Sequence, residues 1–298
     1  VATDDGPFTT GHLDWVGMDE IAMPLRLDDA ADALAIPARV RAAVNLAKPS
    51  ARGIHMSRLY LHVDRVLTAE PLSQRSLRHL LGEFLESHAR LSDHALLRAS
   101  FPLMLRRAAL RSRHSGWRNY PVTVEGVLER GQFTARLSVE VAYSSTCPAS
   151  AALARQEIQD AFLRDFPSGQ PLDHDAVRAW LGSHRGICAT PHSQRSVAQV
   201  QARLAESVQG LPLVEMIDRV ERALATPVQG AVKREDEQAF ALLNGANLMF
   251  CEDAARRVQA ALDADDNIAD FHVRVSHLES LHAHDAVAEA SKGIAGGY

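Results

Sequence analysis

The chain has 298 residues, 46% apolar and 23% charged, with a formal net charge of −5 and a pI near 6.3. That length supports one large or two modest domains with a real core, and the overall negative charge argues against binding nucleic acid or an anionic membrane through bulk charge. Three cysteines, Cys147, Cys188 and Cys251, in no CxxC pattern argue against a disulfide scaffold and for a reducing compartment.

The opening stretch, VATDDGPFTTGHLDW, is acidic and has no apolar stretch of its own, so residues 1–15 are expected to form a loose arm and not a signal peptide. No window reaches the apolar length of a membrane span. His55 to Leu67 alternates in character and predicts a strand. From Pro71, the positions Leu77, Leu80, Leu81, Phe84 and Leu85 fall at helical spacing and predict an amphipathic helix. Strands are expected over Ala99–Leu110, Tyr120–Leu128 and Phe133–Tyr143, the last two joined by the hairpin signal ERGQ. In the third of these, Ala135, Leu137, Val139 and Val141 share one face and Arg136, Ser138 and Glu140 the other, the pattern of a half-buried antiparallel strand.

After Cys147 the pattern turns helical, with a turn at PSGQP and a short helix in DHDAVRAWLGS. Ser196 to Glu206 alternates and predicts a strand, although its composition also suits a helix. Helices are expected over Leu211–Pro227, Glu235–Phe250 and Glu252–Ala264, and a closing strand over Asp270–Ser280. This order is α+β with a mainly antiparallel sheet, in two similar modules split near the helical stretch after Cys147.

No P-loop, no GxGxxG after a strand, no GxSxG and no HExxH is present. Polar residues at the ends of regular elements remain. Cys147 follows a strand among Ser, Thr and Pro, which fits a partly exposed thiolate better than a small buried hydrophobe. His192 stands in the polar turn ATPHSQRS beside Arg195, a place that equally suits a surface histidine. Glu235, Asp236 and Glu237 open a helix, where acids are favoured by the dipole alone. Glu252 follows an apolar run and begins a helix; a carboxylate against such a wall can accept two N–H bonds from a guanine-like edge. His277, Glu279, His282, His284 and Asp285 crowd into SHLESLHAHDA, the most unusual local composition in the chain. Arg98, Arg106, Arg107, Arg111, Arg113 and Arg118 lie in a run without acids, a positive field suited to phosphate or the solvated face of a strand pair. A thiolate, imidazoles and carboxylates together suit one mixed S/N/O metal site that activates water.

Six segments, GIHMSRLY, SSTCP, PHSQRS, KREDE, FCED and LHAHDA, resemble in order the motifs of prokaryotic GTP cyclohydrolase type IB, the FolE2-type enzyme of folate biosynthesis. The resemblance runs from about Val16 to Tyr298. It implies a bimodular tunnelling fold of antiparallel sheets with helices on one side, assembled as a homotetramer with active sites at subunit interfaces. It divides the chain into an arm at 1–15, a module at 16–150, an inserted helical connection at 151–188 and a second module at 189–298. It implies metal-dependent conversion of GTP to 7,8-dihydroneopterin triphosphate and formate. The metal ligands it implies are Cys147, His192, Glu237 and His282, with Glu237 taken over Glu235 by its register relative to FCED; such mixed donors suit Zn, Mn or Fe(II), and no organic cofactor is expected. Glu252 is implied as the anchor of the guanine, His282 and Cys147 as catalytic, His284 or His277 as candidates for proton transfer, and Arg58, Arg195 and some of Arg106 to Arg118 as holders of the triphosphate. The expected setting is the cytoplasm, with GTP as substrate and no nucleic-acid or membrane partner. Two departures stand out: Ala149 replaces a second cysteine, and Ala151–Cys188 is much longer than in many relatives. Two rival readings keep the fold: an enzyme acting on another purine or pterin, or giving a cyclic phosphate, and a non-catalytic ligand-binding homo-oligomer.

Overall fold

Strands with one apolar face need a partner layer, and here a single sheet takes all of them. The computed structural model describes residues 9–27, 35–295 and 298. The sheet is formed by β1 (Leu13–Leu25), β2 (Ile36–Leu46), β3 (His94–Ala108), β4 (Ser115–Glu129), β5 (Gln132–Thr146), β6 (Ser193–Leu204), β7 (Ile268–His277) and β8 (Ala286–Ser291). Their spatial order is their sequence order, and every neighbouring pair is antiparallel. The expected arm at 1–15 falls partly on residues 1–8, outside the described residues, while β1 already begins at Leu13.

The helices are α1 (Met56–Ala69), α2 (Gln74–Ser87), α3 (Pro148–Asp165), α4 (His174–Leu181), α5 (Leu213–Leu224), α6 (Arg234–Ala246) and α7 (Cys251–Asp263). α1 and α2 pack on β1 to β4, and α5 and α7 pack on β5, β7 and β8, on one side of the sheet around one core. Leu77, Leu80, Leu81 and Phe84 of α2 are fully buried there with Leu97, Val124 and Leu137 of the strands. Each such side chain contributes about 1.5–3 kcal/mol by leaving water. The opposite face of β3 to β6 is polar. Arg98 and Arg136 both reach Glu125, Ser100 bonds Thr123 at 2.9 Å, and Gln199 donates to Glu140.

The stretch from His55 to Leu67, expected as a strand, is the helix α1. Leu59, Val63, Val66 and Leu67 are its buried positions, a period of three to four, while Leu61 points to solvent at 65% exposure. Leu59, Leu61 and Val63 mimic alternation in sequence, but only the helical register puts a continuous apolar stripe against β1 and β2. The ERGQ hairpin is as expected. Arg130 and Gly131 both have positive φ, 48° and 84°, the two-residue turn whose twist suits antiparallel strands.

The element order repeats. β1, β2, α1, α2, β3 and β4 are followed by β5, β6, α5, α7, β7 and β8. In the second set α3 and α4 are interposed between β5 and β6, and α6 between α5 and α7. Counted this way, β5 opens the second set, where the sequence expectation placed it at the end of the first. The interposed pair has a small core of its own. Phe162, Phe166 and Trp180 meet at ring separations of 5.0–5.7 Å, and the Trp180 indole donates to Asp165 at 2.6 Å.

Candidate functional site

Register brings three strand ends to one rim. Thr146 of β5 pairs with Ser193 of β6, Tyr143 with Ser196, and Ser196 with His277 of β7. Cys147 and His192 therefore leave adjacent strands side by side, and the Cys147 N–H donates to the His192 carbonyl at 3.3 Å. Pro148 stops β5 because it has no N–H for the ladder, and it is the first residue of α3. The Cys147 thiol, partly exposed, caps that helix by accepting from the Ser150 N–H at 3.4 Å. The Ser150 hydroxyl in turn accepts from the His192 N–H at 3.0 Å. The long excursion through α3 and α4 thus starts and ends on one small clasp.

Behind the clasp lies a hydrogen-bonded chain. The His192 Nδ1 meets Gln194 Oε1 at 3.1 Å, the Gln194 amide donates to Ser145 Oγ at 3.0 Å, and Ser145 Oγ meets Ser196 Oγ at 2.8 Å. Gln194, Ser145 and Ser196 are buried. The Glu279 carboxylate stands 3.6 Å from His192 Nδ1. Next to it, His277 and Tyr143 share a hydrogen bond of 2.8 Å and are both buried. Burial pushes the His277 imidazole below its ordinary pKa against the pull of Glu279 and Glu252, so it is neutral at pH 7. Burial also raises the Tyr143 phenol, so it stays protonated.

The start of α7 reaches the same rim. Met249 donates to the Thr146 carbonyl at 3.2 Å, which ties the segment before α7 to the end of β5. Cys251 is buried and its thiol donates to Glu252 Oε2 at 3.3 Å. Burial and the adjacent Glu252 push that thiol up to about 11, so it remains a donor. Glu252 is exposed, and its own backbone N–H together with the Cys251 thiol holds its carboxyl below the usual range. This is an ionised carboxylate with one oxygen fixed and one face open.

The remaining expected residues lie further out. Glu237 is exposed in the first turn of α6. Its neighbour Asp236 is buried and accepts from the N–H groups of Arg111, Ser112 and Lys233 at 2.7–2.8 Å, tying α6 to the β3–β4 connection. Hydrogen bonds from Ser112, Lys233 and Arg111 hold the Asp236 carboxyl well below its ordinary value. His282 and His284 are exposed in the β7–β8 connection, with rings stacked 5.1 Å apart. Arg195 is exposed on the rim, and its carbonyl accepts from Leu278. Arg58 belongs to α1 and donates to the Ser87 carbonyl at 2.7 Å.

Cys147 and His192 are brought side by side, and Glu237 and His282 do not join them in one cluster. Among the described residues no three His, Cys, Asp or Glu side chains are close enough to hold a metal ion. The arginine run divides. Arg98, Arg107 and Arg118 are paired with Glu125, Asp218 and Glu221, so the expected continuous positive field is partly neutralised. Arg106 meets Ser115 and the Trp117 ring instead. Sequence reasoning missed Tyr143, Gln194 and Cys251: Tyr143 and Cys251 stand at the ends of apolar stretches, and Gln194 lies in a polar turn where nothing marks it.

The sequence model of the family described as type I GTP cyclohydrolase FolE2 matches residues 3–288. The chain belongs to that family. A protein of Hydrogenovibrio crunogenus named GTP cyclohydrolase FolE2 is 50% identical over 288 residues, covering 97% of this chain and 92% of the relative. One of the same name from Bdellovibrio bacteriovorus is 52% identical over 282 residues, covering 95% and 92%. Among solved structures, a uricase of Arthrobacter globiformis superposes with a TM-score of 0.51 at 10% identity, over 96% of this chain and 94% of that one. A hyper-thermostable uricase variant gives 0.53, also at 10% identity, over 95% and 93%. At that identity the likeness concerns the fold alone, and the fold of this FolE2-family chain is the tunnelling fold of antiparallel strands with helices on one side.

Proposed function

We propose that this chain opens the imidazole ring of GTP, releases formate and recloses the product as 7,8-dihydroneopterin triphosphate, with a divalent metal at the rim. The observation that carries the reading is family membership over nearly the whole chain, at half identity to proteins named GTP cyclohydrolase. The donors fit a metal: Cys147 supplies a partly exposed sulfur, and His192 engages Gln194 through Nδ1, which leaves Nε2 for a ligand. Glu237 and His282 complete the set in this reading. Both are exposed on this chain, which supports a site completed by a second copy, in a homotetramer. A metal bound there supplies acidity to a water, lowering its pKa toward neutrality.

The chain's own groups do the rest. Glu252, ionised and oriented by Cys251, accepts from the guanine N1–H and the exocyclic amine, a bidentate charge-assisted contact that fixes the base in one pose. His284 lies two residues beyond His282 with its ring stacked on it, where it can carry a proton during ring opening. Arg195 on the rim, and Arg106, Arg111 and Arg113 outside the ion pairs described above, offer charge to the triphosphate. Three free cysteines are in keeping with a cytoplasmic setting.

The test strips the protein with chelator, restores Zn, Mn or Fe(II) singly, and follows formate and oxidised pterin fluorescence on GTP. Metal-dependent formation of both products is the expected result, with Cys147→Ala inactive and Glu252→Ala losing at least 100-fold in kcat/KM, about 2.7 kcal/mol. Full turnover by Cys147→Ala would remove the ligand assignment. Formate with a different pterin would move the chain to another chemistry on the same fold.

A further inference from the structure

The His192 chain can run in two directions. In one, the Gln194 amide donates to Ser145 and its oxygen accepts from a protonated His192 Nδ1. In the other the amide is flipped, its nitrogen donates to an unprotonated Nδ1, and Nε2 carries the hydrogen. Both satisfy Gln194, because an amide offers a donor and an acceptor of nearly the same shape. Gln194 alone therefore does not decide which nitrogen of His192 presents a lone pair.

Glu279 does decide. Its Oε2 lies 3.6 Å from His192 Nδ1, is buried, and has no hydrogen-bond partner. Its side chain is only 12% exposed and that of His192 20%, so water screens the pair weakly. A carboxylate oxygen facing an Nδ1 lone pair is repelled, and one facing an Nδ1–H is attracted. We infer that Glu279 is a positioning residue that fixes the direction of the Ser196–Ser145–Gln194–His192 chain and holds His192 with hydrogen on Nδ1 and a free lone pair on Nε2. The placement gives a role to a buried carboxylate oxygen that accepts no hydrogen bond within the chain. A buried charge costs stability, and here its field orients a neighbour's proton. The consequence for a metal at Nε2 rests on the function proposed above; the tautomer itself does not.

The experiment uses the full chain, metal-free, with histidine labelled by 15N. Long-range 1H–15N spectra report the tautomer of each ring, and His192 is assigned by its loss in His192→Asn. The wild type is expected to show Nδ1–H at His192, and Glu279→Ala and Glu279→Gln to move it toward the other tautomer or a mixture. Gln keeps size and hydrogen-bonding capacity but not charge, so a shift in both variants identifies the charge. Zn(II) affinity, read by chelator competition, is expected to weaken about 10–100-fold in both. The melting temperature of the metal-free protein is expected to change little, because the attraction lost is offset by the buried charge removed. An Nε2–H tautomer in the wild type, or an unchanged tautomer in both variants, overturns the inference. So does a loss of melting temperature that accounts for the lost affinity. Failure of the wild type to bind any divalent metal, with the tautomer shift intact, instead removes the metal from the proposed function and leaves this role of Glu279 standing.

Discussion

Tyr143→Phe tests whether the buried pair behind the rim holds the second half of the sheet together. Tyr143 is fully buried, its hydroxyl lies 2.8 Å from His277 Nε2, and the two rings meet edge-on at 5.8 Å. The substitution keeps the ring, its burial and the edge contact, and removes one oxygen. What remains is a buried imidazole nitrogen without that partner, which costs about 1–3 kcal/mol. His277→Leu strands the phenol hydroxyl at a similar cost and also loses an aromatic edge worth about 0.5–1.5 kcal/mol. The double variant strands neither group, and replacing both partners of a buried hydrogen bond by apolar groups is nearly neutral. The double-mutant cycle should therefore show a coupling energy of about 1–3 kcal/mol. Urea unfolding at fixed protein concentration, with equal m-values across the four proteins, measures it. A coupling below about 0.5 kcal/mol, with each single variant as costly as expected, would refute a direct Tyr143–His277 interaction.

Stability should also fall on acidification from neutrality. Burial lowers the pKa of both His277 and His88, so between their folded values and the unfolded value of about 6.5 the unfolded chain binds more protons. Stability is then fully present above the unfolded pKa and is lost as pH drops below it, by up to about 1.4 kcal/mol per pH unit for each imidazole until the folded value is passed. Urea midpoints from pH 8 to pH 5 measure the slope, and His277→Leu should flatten it; an unchanged slope in that variant would place the proton uptake elsewhere. A third expectation concerns Glu221, which pairs with Arg118 at 3.0 Å where the two side chains are only 13% and 8% exposed. Glu221→Ala leaves Arg118 buried without its partner and should cost about 3–5 kcal/mol in urea unfolding, with Glu221→Gln costing less; a loss under 1 kcal/mol would show that water reaches the guanidinium.

The parts of the fold legible in the sequence were those where one period stood alone. α2 and β5 carry a single pattern, Leu77 to Phe84 at helical spacing and Ala135 to Val141 in alternation, and both lie where the pattern puts them. In α1 two periods overlap, and only contact with β1 and β2 selects the helix. β2 is faint in the sequence although Ala38, Val40, Ala42 and Val44 alternate on the core face, because its small alanines carry little strand signal. The rim was partly legible. Cys147 and His192 stand at element ends, where side chains are free to gather. The roles of Gln194, Glu279 and Cys251 were not legible. A buried carboxylate and a buried amide differ from surface ones only in what surrounds them, and those neighbours come from β5, β6, β7 and α7 at long sequence separation. The same holds for Arg98, Arg107 and Arg118, whose acid partners lie outside the run that looked purely basic.

The excursion between Thr146 and Ser193 leaves and rejoins the sheet without breaking it. The strand register on either side is continuous, the clasp of Cys147, Ser150 and His192 closes the loop, and Phe162, Phe166 and Trp180 hold its two helices together. Closing a loop costs only about 0.6 kcal/mol for each doubling of its length, so a connection a quarter as long would be cheaper by about 1.2 kcal/mol. That difference is smaller than what one buried leucine contributes. The strand ends behave as a socket: once they are joined, the chain between them is free to vary in length and to acquire new surface.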